Sequence, residues 1–112
     1  MMLPSGNDAA FLIAEVGGFL LQHGVPSSWD QMSDKIEGHK GNYVNFYLKE
    51  MNHKAQKLNM TNSHFASPHG LNNHQNYSCA DDLAKVCTIA MRNIKFRKVV
   101  QTRKYEYWFT EP

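Results

Sequence analysis

Asn42-Tyr43-Val44-Asn45-Phe46-Tyr47-Leu48-Lys49-Glu50-Met51-Asn52-His53-Lys54-Ala55-Gln56-Lys57-Leu58 is the stretch whose reading decides the fold class. Val44, Tyr47, Leu48, Met51, Ala55 and Leu58 recur at the i, i+3, i+4, i+7 spacing that gathers side chains on one side of a 3.6-residue helix. Asn42 is placed to cap its start. The spacing predicts an amphipathic helix over 42–58, a surface element with one face turned to a core.

Moving toward the N-terminus, residues 23–41 contain Gly24, Pro26, Ser27, Ser28, Gly38 and Gly41 and read mostly as loop, with an amphipathic turn or two over Trp29–Ile36. Before that, Asp8–Gln22 reads as a helix. Asn7 or Asp8 can cap it, and Ala10, Ile13, Gly17, Leu20 and Leu21 fall near one face. Gly17-Gly18 weakens its middle by about 1 kcal/mol per glycine relative to alanine. Such a pair signals either close helix packing or simply a poor helix.

Moving toward the C-terminus, Asn59–Asn76 is polar, with Ser67-Pro68-His69-Gly70 as a turn. Ser78–Arg92 is helical again. Ser78 and Asp81 form a capping-box-like start, and Ala80, Leu83, Ala84, Cys87, Ala90 and Met91 line one face. A short helix follows over Asn93–Val100, and Lys104–Thr110 alternates around Tyr105, Tyr107 and Phe109 as a strand would. The fold class is therefore mainly α with one C-terminal strand.

At 112 residues the chain holds at most one domain. With 42% hydrophobic and 20% charged residues it suits a folded chain. A net charge of +2 is too mild to argue for a polyanionic partner. The longest apolar run, Ala9–Leu21, is broken by Glu15, Gly17 and Gly18 and is too short to span a bilayer. The first residues show neither a basic region nor a small-residue cleavage site, so no signal peptide is expected. Cys79 and Cys87, eight residues apart on one helix, would lie about 12 Å from each other, too far for a disulfide. Both read as small core hydrophobes.

Two separated stretches carry a resemblance. One is Leu3-Pro4-Ser5-Gly6-Asn7-Asp8-Ala9-Ala10. The other runs from Phe46 through Met51-Asn52, Lys54-Ala55 and Leu58-Asn59-Met60-Thr61-Asn62-Ser63-His64-Phe65 to Pro68-His69-Gly70-Leu71, Tyr77-Ser78 and Asp82-Leu83-Ala84. In this order they resemble the serine-type D-Ala-D-Ala carboxypeptidases of peptidase family S11, the low-molecular-mass penicillin-binding proteins. The resemblance implies the helical lobe of a β-lactamase/transpeptidase-like α+β fold. It also implies hydrolysis of a peptidoglycan peptide through an acyl-enzyme, outside the cytoplasm. Three motifs meet in that family: Ser-x-x-Lys with the nucleophile, Ser-x-Asn, and Lys-Thr-Gly, which holds the substrate carboxylate. Ser5 matches the hydroxyl that relays a proton to the leaving amine. Asn7 matches the amide that binds the substrate backbone and the catalytic lysine. A hydroxyl donates and accepts at once, and an amide does both without charge, which suits these tasks.

The sequence departs from the family pattern in several places. Neither Ser-x-x-Lys nor Lys-Thr-Gly occurs in the 112 residues. Ala66-Ser67-Pro68 stands where the family usually has Asn before Pro, Cys79 replaces a common Thr, and residues 25–41 read as an insertion. The expectation is thus a single partial domain over 1–112, inactive alone. It would engage a D-Ala-D-Ala-terminated peptide or a β-lactam once the missing lobe is supplied, with no cofactor. A non-catalytic peptide- or protein-binding domain derived from the family is the alternative. A metal reading of His64, His69 and His74 is set aside, because five-residue spacing through a Pro-Gly turn matches no zinc pattern; His69 reads instead as a loop hydrogen-bonding residue. Arg92, Lys95, Arg97, Lys98, Arg103 and Lys104 could form a small basic nucleic-acid-binding module. No nucleic-acid motif accompanies them, and a solvated helix face with its apolar side packed inward is the expectation.

Overall fold

The computed structural model describes residues 5–28, 32–33, 36 and 42–108. Four helices are formed among them: α1 (Asn7–His23), α2 (Asn42–Lys57), α3 (Ala80–Ala90) and α4 (Ile94–Val100). The chain is mainly helical, as the apolar spacing predicts. The strand expected over 104–110 is not formed in its described part: residues 104–108 have no regular structure. Most of the segment 25–41, expected to be an insertion, lies outside the described residues, as do Leu3-Pro4 and Phe109-Thr110.

The organising contact is α1 against α2. A Cβ on Gly17 would come within 2.6 Å of the Tyr47 ring, and one on Gly18 within 2.6 Å of the Tyr43 carbonyl carbon and closer still to its oxygen. The glycine pair therefore marks close packing. Its propensity cost is met by letting α2 approach the α1 backbone. Phe19, Met32 and Tyr43 form the buried centre, flanked by Val16, Leu20 and Ile36. Phe19 meets Tyr43 edge-to-face at 5.5 Å between ring centroids. Burying Phe19 fully is worth about 2–3 kcal/mol. Met32 and Ile36 tie the segment between α1 and α2 to this centre.

Helix α2 buries the predicted stripe: Val44 and Ala55 are buried, and Tyr47, Leu48, Met51 and Leu58 partly so. It ends in a double closing bond, Met60 N–H to the Ala55 carbonyl (2.9 Å) and Asn59 N–H to the Gln56 carbonyl (2.9 Å). Asn59 has φ +56°, and asparagine is the side chain after glycine that best tolerates this left-handed stop. Met60 is folded back and buried.

Five local expectations are corrected. Helix α1 is capped by Gly6, without a side-chain bond from Asn7 or Asp8; Asn7 is its first helical residue. Ser78 does not cap α3, whose N-cap is Cys79; its hydroxyl is drawn instead to Ser63 at 2.7 Å. The apolar face of α3 is not turned inward: Leu83, Ala84, Cys87 and Met91 are exposed, and Asp82 is the buried residue. Cys79 is half-buried and Cys87 exposed, both as free thiols. On α4, Ile94 and Val99 are likewise exposed rather than packed inward, and Asn93 caps the helix by accepting from Lys95 and Phe96 N–H.

Candidate functional site

The candidate motif sits where α1 begins. Ser5 is exposed and held at φ +53°, a left-handed conformation that costs a non-glycine residue about 1–2 kcal/mol. Gly6 follows in extended backbone, and its carbonyl accepts Ala10 N–H at 3.1 Å, closing the first turn. Asn7 is half-buried in that turn. The reversal at Ser5 lets two polar side chains flank one helix N-terminus, where free N–H groups favour negative charge. Neither side chain makes a hydrogen bond among the described residues. No base is bound to the Ser5 hydroxyl there, so the pair can relay or bind but holds no activated nucleophile.

The loop between α2 and α3 is fixed by side chains that, His69 apart, sequence reasoning left without a role. Asn52, on α2, accepts Phe65 N–H at 2.8 Å and donates to the Phe65 carbonyl at 2.7 Å and to the Leu48 carbonyl at 3.0 Å. One amide thus pairs with a strand-like residue as a neighbouring strand would. His64 and Tyr77 exchange both backbone bonds, at 2.8 and 3.0 Å, and stack their rings at 5.9 Å. The His64 Nδ1–H donates to the Gln75 carbonyl at 2.7 Å. His69 is used in its loop, accepting Leu71 N–H at 3.2 Å.

Asp82 anchors the start of α3. It is 1% exposed and accepts from Asn62 N–H (2.8 Å), the Ser63 hydroxyl (2.8 Å) and Lys85 Nζ (3.0 Å). Burial pushes its carboxyl up, but the bonds from Lys85, Ser63 and Asn62 outweigh this and hold it below the usual carboxylate range. Lys85 also reaches Asp81 at 2.9 Å and the Asn59 carbonyl at 3.0 Å, and Asp81, then Asp82, holds its ammonium above the ordinary lysine value. The signal was present in the sequence, since Asn62-Ser63 and Asp82 both lie in the motif stretch.

Two cavities flank α2. One, about 370 Å³, is apolar and bounded by Leu21, Met51, Leu58, Met60, Phe65 and Val86 among others. The other is a polar groove of about 580 Å³ between α2 and His64. Neither is lined by Ser5 or Asn7. No group of three or more His, Cys, Asp or Glu residues that could hold a metal ion occurs among the described residues, and His64, His69 and His74 are not brought together. None of the described helices is long and apolar enough to cross a membrane.

Residues 31–111 match the D-alanyl-D-alanine carboxypeptidase family, peptidase family S11. The chain belongs to this family. It is 34% identical over 105 residues to a D-alanyl-D-alanine carboxypeptidase of Streptomyces sp. (strain K15), a match covering 94% of this chain and 30% of the relative. No solved structure gives a significant match. The match to the S11 family includes Asn52, the His64–Tyr77 bridge and the Asp82 anchor, and begins downstream of Ser5 and Asn7.

Proposed function

We propose that this chain forms the helical wall of a serine-type D-Ala-D-Ala carboxypeptidase site. Ser5 relays a proton to the leaving amine, and Asn7 hydrogen-bonds the peptide backbone and the catalytic lysine. The nucleophile of Ser-x-x-Lys and the carboxylate-binding Lys-Thr-Gly come from family segments outside these 112 residues. The substrate is a D-Ala-D-Ala-terminated peptide, and a β-lactam would acylate the same nucleophile. The observation that carries this reading is the pairing of an exposed, left-handed Ser5 with Asn7 at one helix N-terminus, both side chains unengaged among the described residues. Family membership supports it.

The test is a chimera in which this chain replaces the matching region of the Streptomyces relative, treated with fluorescent penicillin and read by intact mass. Labelling is expected, and Ser5→Ala should slow it about 10²-fold or more, the usual loss for a proton-transfer group. A folded chimera that is not labelled, or one labelled equally fast with Ser5→Ala and Asn7→Ala, would overturn the reading. Saturable binding of a D-Ala-D-Ala peptide without turnover would instead assign the lobe a binding role. Labelling of the 112-residue chain alone would reveal a nucleophile within it.

A further inference from the structure

The chain's net charge of +2 conceals a strong local asymmetry. Arg92, Lys95, Arg97, Lys98, Arg103 and Lys104 supply six of its twelve lysines and arginines, and no Asp or Glu occurs between Asp82 and Glu106. Outside the 92–104 run, six cations stand against all ten carboxylates. The run is centred on α4. Phe96 is the half-buried residue of that helix and marks the side turned to the rest of the chain. At 3.6 residues per turn, Ile94 and Lys98 fall opposite Phe96, with Lys95 and Arg97 to either side. All four are exposed, Ile94 by 61%, and Val99, next to Lys95 around the helix, is 53% exposed.

Two properties of this face select its partner. Its cations are unmatched: Arg92, Lys95, Arg97, Lys98 and Arg103 make no ion pair among the described residues, while Lys104 is paired with Glu106. Unpaired cations are costly to bury, so an apolar protein surface does not suit this face; a hydrated, negative one does. Its apolar residues are aliphatic and stand among the charges rather than beneath them. A nucleic-acid backbone would engage the cations but gain nothing from Ile94 and Val99, and α4 itself turns no aromatic ring outward for a base to stack on. A bilayer surface engages both at once. Lipid phosphates meet the lysine and arginine heads, while their stems and the aliphatic side chains enter the boundary between headgroups and acyl chains.

We propose that α4 and its flanking basic residues dock this chain on an anionic lipid surface, with the helix lying in the plane of the interface. The helix is short, so attachment draws on Arg92, Arg103 and Lys104 at its two ends as well as on its own outward face. This is adhesion to one leaflet, not insertion across it. It uses no residue of the carboxypeptidase reading, so either can fail without the other.

The experiment is co-sedimentation of the 112-residue chain with vesicles of one-third phosphatidylglycerol in phosphatidylcholine. Vesicles of phosphatidylcholine alone are the neutral comparison, and a duplex DNA oligonucleotide is the competitor. Saturable binding to the phosphatidylglycerol vesicles is expected, weakened by added salt and resistant to the DNA. Lys95→Ala and Lys98→Ala should each weaken it roughly fivefold, the worth of one cation near such a surface. Ile94→Ser should weaken it by a similar factor, because an apolar side chain is withdrawn from the boundary. All three positions are exposed, so the variants should retain the wild-type helical circular dichroism. Absence of binding to the phosphatidylglycerol vesicles would overturn the proposal. So would equal binding to the neutral vesicles, or full affinity in the Lys95→Ala/Lys98→Ala double variant. Displacement by DNA, with Ile94→Ser binding as the wild type does, would also overturn it and assign the face to nucleic acid.

Discussion

Gly18 of α1 lies directly against the backbone carbonyl of Tyr43 at the start of α2, with no room for a Cβ between them. That contact sets how closely the two helices approach. Gly18→Ala would gain about 1 kcal/mol of helix propensity but overpack a junction whose facing atoms are backbone. We expect a net loss of about 2 kcal/mol in urea unfolding followed by circular dichroism. Gly17→Ala, facing only the Tyr47 ring, should lose clearly less, because a side chain can turn away. Equal or raised stability of Gly18→Ala would mean the helices do not meet this closely.

Asp82 should give the fold an acid limb. Its carboxyl is held below the ordinary value of 3.8, so the folded state binds its proton less readily than the unfolded chain. The stabilisation is fully present above about pH 3.8 and is lost as pH falls from there through the lower folded-state value. Urea midpoints measured against pH should fall in this window for the wild type. Asp82→Asn should be less stable at neutral pH and should lose this part of the acid dependence. An unchanged acid limb in Asp82→Asn would show that other carboxylates set it.

Asn52→Ala would break three hydrogen bonds and strip Phe65 N–H of its acceptor. The expected loss is about 2–3 kcal/mol, and it should be concentrated in the 61–77 loop. Hydrogen exchange read at the Phe65 amide checks this. Protection at Phe65 equal to wild type would show that the loop is held by other contacts.

Ser67 points the other way. Its hydroxyl oxygen is buried without a hydrogen-bond partner among the described residues. Ser67→Ala removes an unsatisfied group and should leave stability unchanged or raise it by about 1 kcal/mol. Thermal unfolding of the two proteins decides; a clear drop would mean the hydroxyl has a partner.

The helices were legible because their causes are local. The apolar spacing of 44–58 and the turn residues around 67–70 act over a few residues and are written in order along the chain. The ordered motifs from Phe46 to Ala84 were also legible, and with them the family. The inward face of α3 was not. Its apolar residues Leu83, Cys87 and Met91 read as the buried side, yet the described fold turns Asp82 inward, because three donors converge on that carboxylate from Asn62, Ser63 and Lys85. Two of these come from about twenty residues away, and no periodicity reports a partner at that distance. The capping role expected of Ser78 failed for the same reason, since Ser63 attracts its hydroxyl.

By itself, then, the sequence determined helix positions, family and the Ser5-Gly6-Asn7 candidate. Only the tertiary structure decided that Gly17-Gly18 is a packing surface, that Ser5 is left-handed, and that Asn52 of α2 holds both backbone groups of Phe65. Hydrophobic spacing is a property of neighbours along the chain, whereas close approach, burial of a charge and the shape of a groove depend on which distant residues meet.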